Sequence, residues 1–102
     1  MAALTKAQHD LVQDELAQMT VRIAQWMMAG EDSPDWMDEH RVRLAVLAAT
    51  VFLEEQVADQ QREAAHRAGA AGATYVQMGT ACGISRQAAR KRWPDVAAAS
   101  RK

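Results

Sequence analysis

A single cysteine, Cys82, leaves the chain without a partner for an internal disulfide, and a reducing compartment is its natural setting. The three histidines, His9, His40 and His66, are scattered, and none stands four residues from another or from Cys82. A structural metal site needs about four convergent ligands, so none is expected. There is no glycine-rich phosphate loop. The paired acids Glu31-Asp32 and Glu54-Glu55 have no Ser-His or Cys-His arrangement to support them. They read as solvated or helix-dipole residues rather than as a general acid and base. No cofactor and no catalytic centre are expected, and an enzyme is the least favoured class. The longest apolar run, Leu44 to Leu53, is about ten residues and falls far short of the roughly 20 that span a bilayer. No basic stretch precedes an apolar one at the start, so neither a signal peptide nor a membrane partner is expected, and a cytoplasmic place is.

Aromatic and β-branched residues are few, whereas alanine is abundant, which points to an all-α fold. Thr5 and Gln8 form a T-x-x-Q capping box that opens a helix running to about Ala29, with Gly30 placed to end it. Val12, Leu16, Met19, Ile23 and Trp26 recur at helical spacing and define its apolar face, with Leu4, Ala7 and Leu11 beside it. Asp10, Asp14 and Glu15 stand early in the helix, where its dipole favours acids. Ser33-Pro34-Asp35 is a strong start signal for a second, long helix, and no breaker follows until about Arg67. From Asp59 to Arg67 that helix turns polar, and it is expected to project into solvent. Gly69, Ala70, Ala71 and Gly72 make a small-residue joint.

The stretch from Thr74 to Pro94 is read as two short helices with a tight turn between them. Thr74 and Gln77 repeat the capping box. Val76, Met78 and Cys82 are expected on the apolar side of the first helix, and Gly79 where a larger side chain would hold the second helix away. Gly83 suits a turn that needs positive φ, Ile84 plugs the angle, and Ser85 is an N-cap for a helix from Arg86 to about Trp93. Ala89 and Trp93 share its inner face. Arg86, Gln87, Arg90 and Lys91 are left over from packing. Arginine can bridge guanine O6 and N7, and glutamine adenine N6 and N7.

Gly79, Gly83, Ile84 and Ser85, followed by the run Arg86-Gln87-Ala88-Ala89, resemble the bacterial helix-turn-helix family in residue type and spacing. Gly79 stands where that family more often has alanine, and Cys82 where it more often has leucine, an apolar core place that predicts an inert thiol. The resemblance covers about a fifth of the chain. It implies double-stranded DNA as the partner, with Arg86, Gln87 and Arg90 reading bases. Ser85, Lys91 and Arg92 would hold phosphates, as would Thr74 or Thr80.

Charge is segregated in the same sense. The net charge is only −1, but residues 1–73 sum to −6 and residues 74–102 to +5. Such a bipolar chain turns one end toward a polyanion. Residues 1–68 are therefore read as a helical scaffold and dimerisation region, 74–94 as the DNA-binding region and 95–102 as a frayed basic tail.

The middle of the long helix is apolar on nearly every side. Leu44, Leu47 and Val51 form one stripe, with Phe52 off it, and Val46, Leu53 and Val57 form another. One neighbouring helix covers one side, so the remaining stripe calls for a second copy of the chain. The alternative is a monomer whose other helices cover both. Trp26, Met27 and Met28 suggest a groove for another protein, against the plainer reading of core filler. The favoured function is a homodimeric transcriptional regulator that acts on the nucleoid. Alternatives are an architectural or partition factor with little sequence choice, and a helical protein-interaction adaptor.

Overall fold

Thr5 opens the first helix as its sequence implies. Its hydroxyl oxygen accepts the Gln8 amide at 3.2 Å, and its own amide donates to Gln8 Oε1 at 2.9 Å. This is a complete capping box at the start of α1, Lys6–Met28. The computed structural model describes residues 3–29 and 38–96. Four helices and no strand occur among them: α1, then α2 (Glu39–Ala70), α3 (Tyr75–Cys82) and α4 (Arg86–Arg92). Gly30 and the Ser33-Pro34-Asp35 start signal lie outside the described residues. No described helix is long and apolar enough to cross a membrane. The chain divides into two compact units, Ala2–Gln56 and Val57–Lys102, and the boundary falls within α2.

In the first unit, α1 packs on the early part of α2 through a narrow line. Its buried core is Ile23, Ala24 and Ala49, with Ala45, Val46 and Leu53 partly buried against it. Thr20 is buried beside them and donates its hydroxyl proton to the Leu16 carbonyl at 2.8 Å. The expected face of α1 is thus mostly not inside. Val12 is 54 % exposed, Leu16 52 %, Met19 39 % and Trp26 66 %. Ala24, Ala45 and Ala49 make much of the contact, and the larger residues flank it instead. The dipole expectation also weakens, because no acid stands in the first turn of α1 and the effect fades beyond that turn.

In the second unit, the core is Ala65, Tyr75, Met78, Ala89, Trp93 and Val96, with Ala68, Ala73 and Ile84 against it. α2 continues to Ala70, beyond the expected end near Arg67. Gly69 lies inside the helix and not in a joint. A Cβ on Gly69 would stand 2.2 Å from Val96 Cγ1, so its absence is what lets Val96 seat. The turn itself is Ala71-Gly72, with Gly72 at φ 101° and the Ala73 amide donating to the Ala68 carbonyl at 2.9 Å. The stretch Asp59–Arg67 is solvated as expected on most sides, where Arg62–Asp59 and Arg67–Glu63 pair at 3.0 and 2.7 Å. Ala65, however, turns into the core. Val96 is 2 % exposed, so it belongs to the core and not to a frayed tail, and residues 97–102 lie outside the described residues.

Candidate nucleic-acid interface

The second capping box forms as the first does, with the Gln77 amide donating to Thr74 Oγ1 at 3.2 Å and the Thr74 amide to Gln77 Oε1 at 2.9 Å. α3 buries Tyr75, Met78 and Gly79, the i, i+3, i+4 set of one helical face. Two of the expected inner residues are outside. Val76 lies about a quarter turn off that face and is 55 % exposed. Cys82 is on the face but at its end, where it borders an open groove and is exposed. It does not fill the core place expected of it. Tyr75, unremarked in the sequence pattern, is 1 % exposed and donates its phenolic proton to the Trp93 carbonyl at 2.5 Å. That bond ties the start of α3 to the end of α4.

Gly83 takes the left-handed conformation, φ 69° and ψ 29°, and the Ile84 amide donates back to the Gly79 carbonyl at 2.9 Å. A Cβ on Gly79 would come 2.6 Å from the Ile84 carbonyl oxygen and 3.1 Å from the Ser85 carbonyl carbon. Glycine is needed there because the turn backbone itself occupies the space. Ser85 then caps α4, its hydroxyl oxygen accepting the Ala88 amide at 3.0 Å.

α4 has an inner side of Ala89 followed by Trp93, both buried. Its outer side carries Gln87, Ala88, Arg90 and Lys91. With Ser85 and Pro94 these line a shallow open hollow of about 690 Å³. Arg86 is exposed on the flank of this face, one turn before Arg90. Arg92 is turned the other way, its guanidinium carbon 5.8 Å from the centre of the Trp93 ring, where it also borders the groove between α2 and α3. Lys91 therefore joins Gln87 and Arg90 on one face, whereas Arg92 does not share it. Among the described residues, no carboxylate pairs with Arg86, Arg90, Lys91 or Arg92. Ala88, which the sequence motif includes without a role, stands at the middle of this face. Its signal was present, since it adjoins Gln87 and is one residue short of the buried Ala89.

The hydroxyl groups divide. Thr80 is exposed but already donates its proton to the Val76 carbonyl at 3.0 Å. Thr74 is half-buried and Ser85 exposed, and each accepts an amide while keeping its own proton to donate.

The candidate association residues separate by exposure, and Val57 parts in this from Val46 and Leu53, whose stripe on α2 it shares. Leu44, Leu47, Val51 and Val57 are 46–60 % exposed. Val46 and Leu53 instead pack with the Ile23–Ala24–Ala49 core. Trp26, Met27 and Met28 do not line one groove, because consecutive helical residues point about 100° apart. Met28 borders a hollow of about 460 Å³ with Val21, Ala24, Val42 and Val46, and Trp26 is not part of it. No group of three or more His, Cys, Asp or Glu that could hold a metal occurs among the described residues. Compared with known protein families, curated proteins and solved structures, the chain matches none of them.

Proposed function

We propose that the chain binds double-stranded DNA as a homodimer, that α3, its turn and α4 act as a helix-turn-helix, and that the protein is a sequence-specific transcriptional regulator. One observation carries this reading: the outer face of α4 gathers Gln87, Arg90 and Lys91 around Ala88, without a carboxylate among them. α4 enters the major groove with that face. Arg90 and Gln87 meet base edges, with Arg86 on the flank, and Ala88 offers a methyl contact of the kind that suits thymine. Lys91 and the Ser85 hydroxyl approach phosphates. Such contacts position the protein without reading sequence.

The test is selection of bound duplexes from a random pool. A recurrent inverted repeat is the expected result, with half-sites one helical turn, about 34 Å, or a multiple of it apart. Enrichment without any shared sequence, and a footprint that spreads with protein concentration, would favour an architectural or partition role. No duplex binding even at low salt would favour the protein-interaction adaptor.

A further inference from the structure

We infer that a second copy of the chain closes the apolar surface of the Ala2–Gln56 unit, with the two α2 helices antiparallel across the side that carries Leu44, Leu47 and Val51. The inference rests on the dimer given above and supplies its packing and its direction. It uses no residue of α4.

The first ground is how little holds this unit together from within. Ile23, Ala24 and Ala49 are its only buried apolar residues among those described. Ordering a backbone costs about 1–2 kcal/mol per residue. Two alanines and one isoleucine do not offset that over two helices, so other surface must be covered.

The second ground is where the uncovered surface lies. Of the fourteen large apolar side chains exposed among the described residues, twelve belong to this unit and extend over both helices. Most are about half exposed. Together they offer apolar area comparable to the roughly 800 Å² that each partner gives to an interface of standard size. A monomer rarely leaves such a surface in water. A partner must match it along two helices, and an identical helix pair does.

The third ground is the placement of α2. Ala45, Ala49 and Leu53 face α1, and Leu44, Leu47 and Val51 lie on the opposite side of the helix. A helix that is apolar all round sits at the centre of an assembly. With α1 on one side, a partner α2 takes the other, each Leu47 near the two-fold axis. The flanking stripe of α1, Val12, Leu16, Met19 and Trp26, remains to close the edges.

Charge sets the direction. The end of α1 shares a hollow with the start of α2, so the helices of the pair are antiparallel. One half of the pair therefore has Arg22, Arg41 and Arg43 along its helices, with Asp38 and Glu39 at the start of α2, where Glu39 pairs with Arg43 at 2.9 Å, and with Glu31, Asp32 and Asp35 between the two helices in sequence. The other half has Asp10, Asp14, Glu15, Glu54 and Glu55 against Lys6. An antiparallel partner sets the half of each copy that carries the three arginines beside the half of the other that carries the five acids. A parallel partner would set Glu54 and Glu55 beside themselves, and like charges face to face disfavour an arrangement.

The experiment uses the full chain with Cys82→Ser, so that introduced thiols are the only ones. Light scattering should give twice the 11.2 kDa chain mass, and Leu47→Glu should halve it. In the same background Ala48→Cys, close to the axis, should form an inter-chain disulfide on oxidation, and Glu55→Cys should not. A single-chain mass at every concentration overturns the assembly, as does a Leu47→Glu protein that keeps the doubled mass. Ready cross-linking through Glu55→Cys overturns the antiparallel direction. Because Ala48→Cys replaces an exposed residue, its readout survives if Leu47→Glu unfolds. Duplex binding measured on the same samples keeps the two readings apart: a monomer that still binds DNA removes this assembly and leaves the role of α4 standing.

Discussion

Tyr75 shows how much one side chain decides in the Val57–Lys102 unit. It is almost wholly buried, and its hydroxyl spans 18 residues to the Trp93 carbonyl. Tyr75→Phe keeps the ring in place but leaves that carbonyl only the long 3.5 Å bond from the Val96 amide, a loss of about 0.5–1.5 kcal/mol. Urea unfolding should show it as a lower midpoint at an unchanged slope. Gly79 gives a second test. Alanine is the better helix former by about 1 kcal/mol, so propensity alone predicts a gain from Gly79→Ala. The new methyl would stand 2.6 Å from a backbone oxygen that cannot swing aside. Overpacking of that kind costs about 1–3 kcal/mol, and the melting temperature should fall. A rise would show that the turn can shift outward freely.

At the scale of the helix, the DNA-binding role proposed for α4 predicts two kinds of contact. Arg90→Ala should weaken the preferred duplex by about 1–3 kcal/mol and relax the preference at one base position. Lys91→Ala should weaken all duplexes alike and lower the salt slope by about 1. Titrations of specific and scrambled duplexes over a salt series distinguish them. Equal losses on both duplexes for Arg90→Ala would remove its base-reading role. The beginnings of these helices were legible in the sequence because a cap is local: Thr5 with Gln8 and Thr74 with Gln77 need only their own neighbours. So was Gly83, whose positive φ the turn demands. Burial was less legible. Val12, Leu16 and Val76 are apolar at helical spacing yet exposed, because what covers a face depends on elements distant in sequence. Alanine carried the contact at Ala24, Ala45 and Ala49, and periodicity weighted by hydrophobicity gives alanine little voice. On α4 the outer face was legible once Ala89 and Trp93 were set inside. The turn of Arg92 toward Trp93 was not, since position alone does not fix a long flexible side chain.

At the scale of the whole chain, the two units differ in what they leave to water. Ala2–Gln56 exposes most of its large apolar side chains, whereas Val57–Lys102 hides all but Val57 and Val76 among those described. If a second copy covers the first unit, its stability depends on protein concentration, because association is linked to folding. Helical signal should then melt in a step whose midpoint rises on concentrating the sample. A midpoint independent of concentration would count against that linkage. The second unit asks for no such help. Its strap from Tyr75 to Trp93 holds α4 in place, so the DNA binding proposed for α4 would involve no refolding of the helix. Calorimetry of binding should accordingly show a small heat-capacity change, without the large negative one that accompanies the ordering of a loose segment.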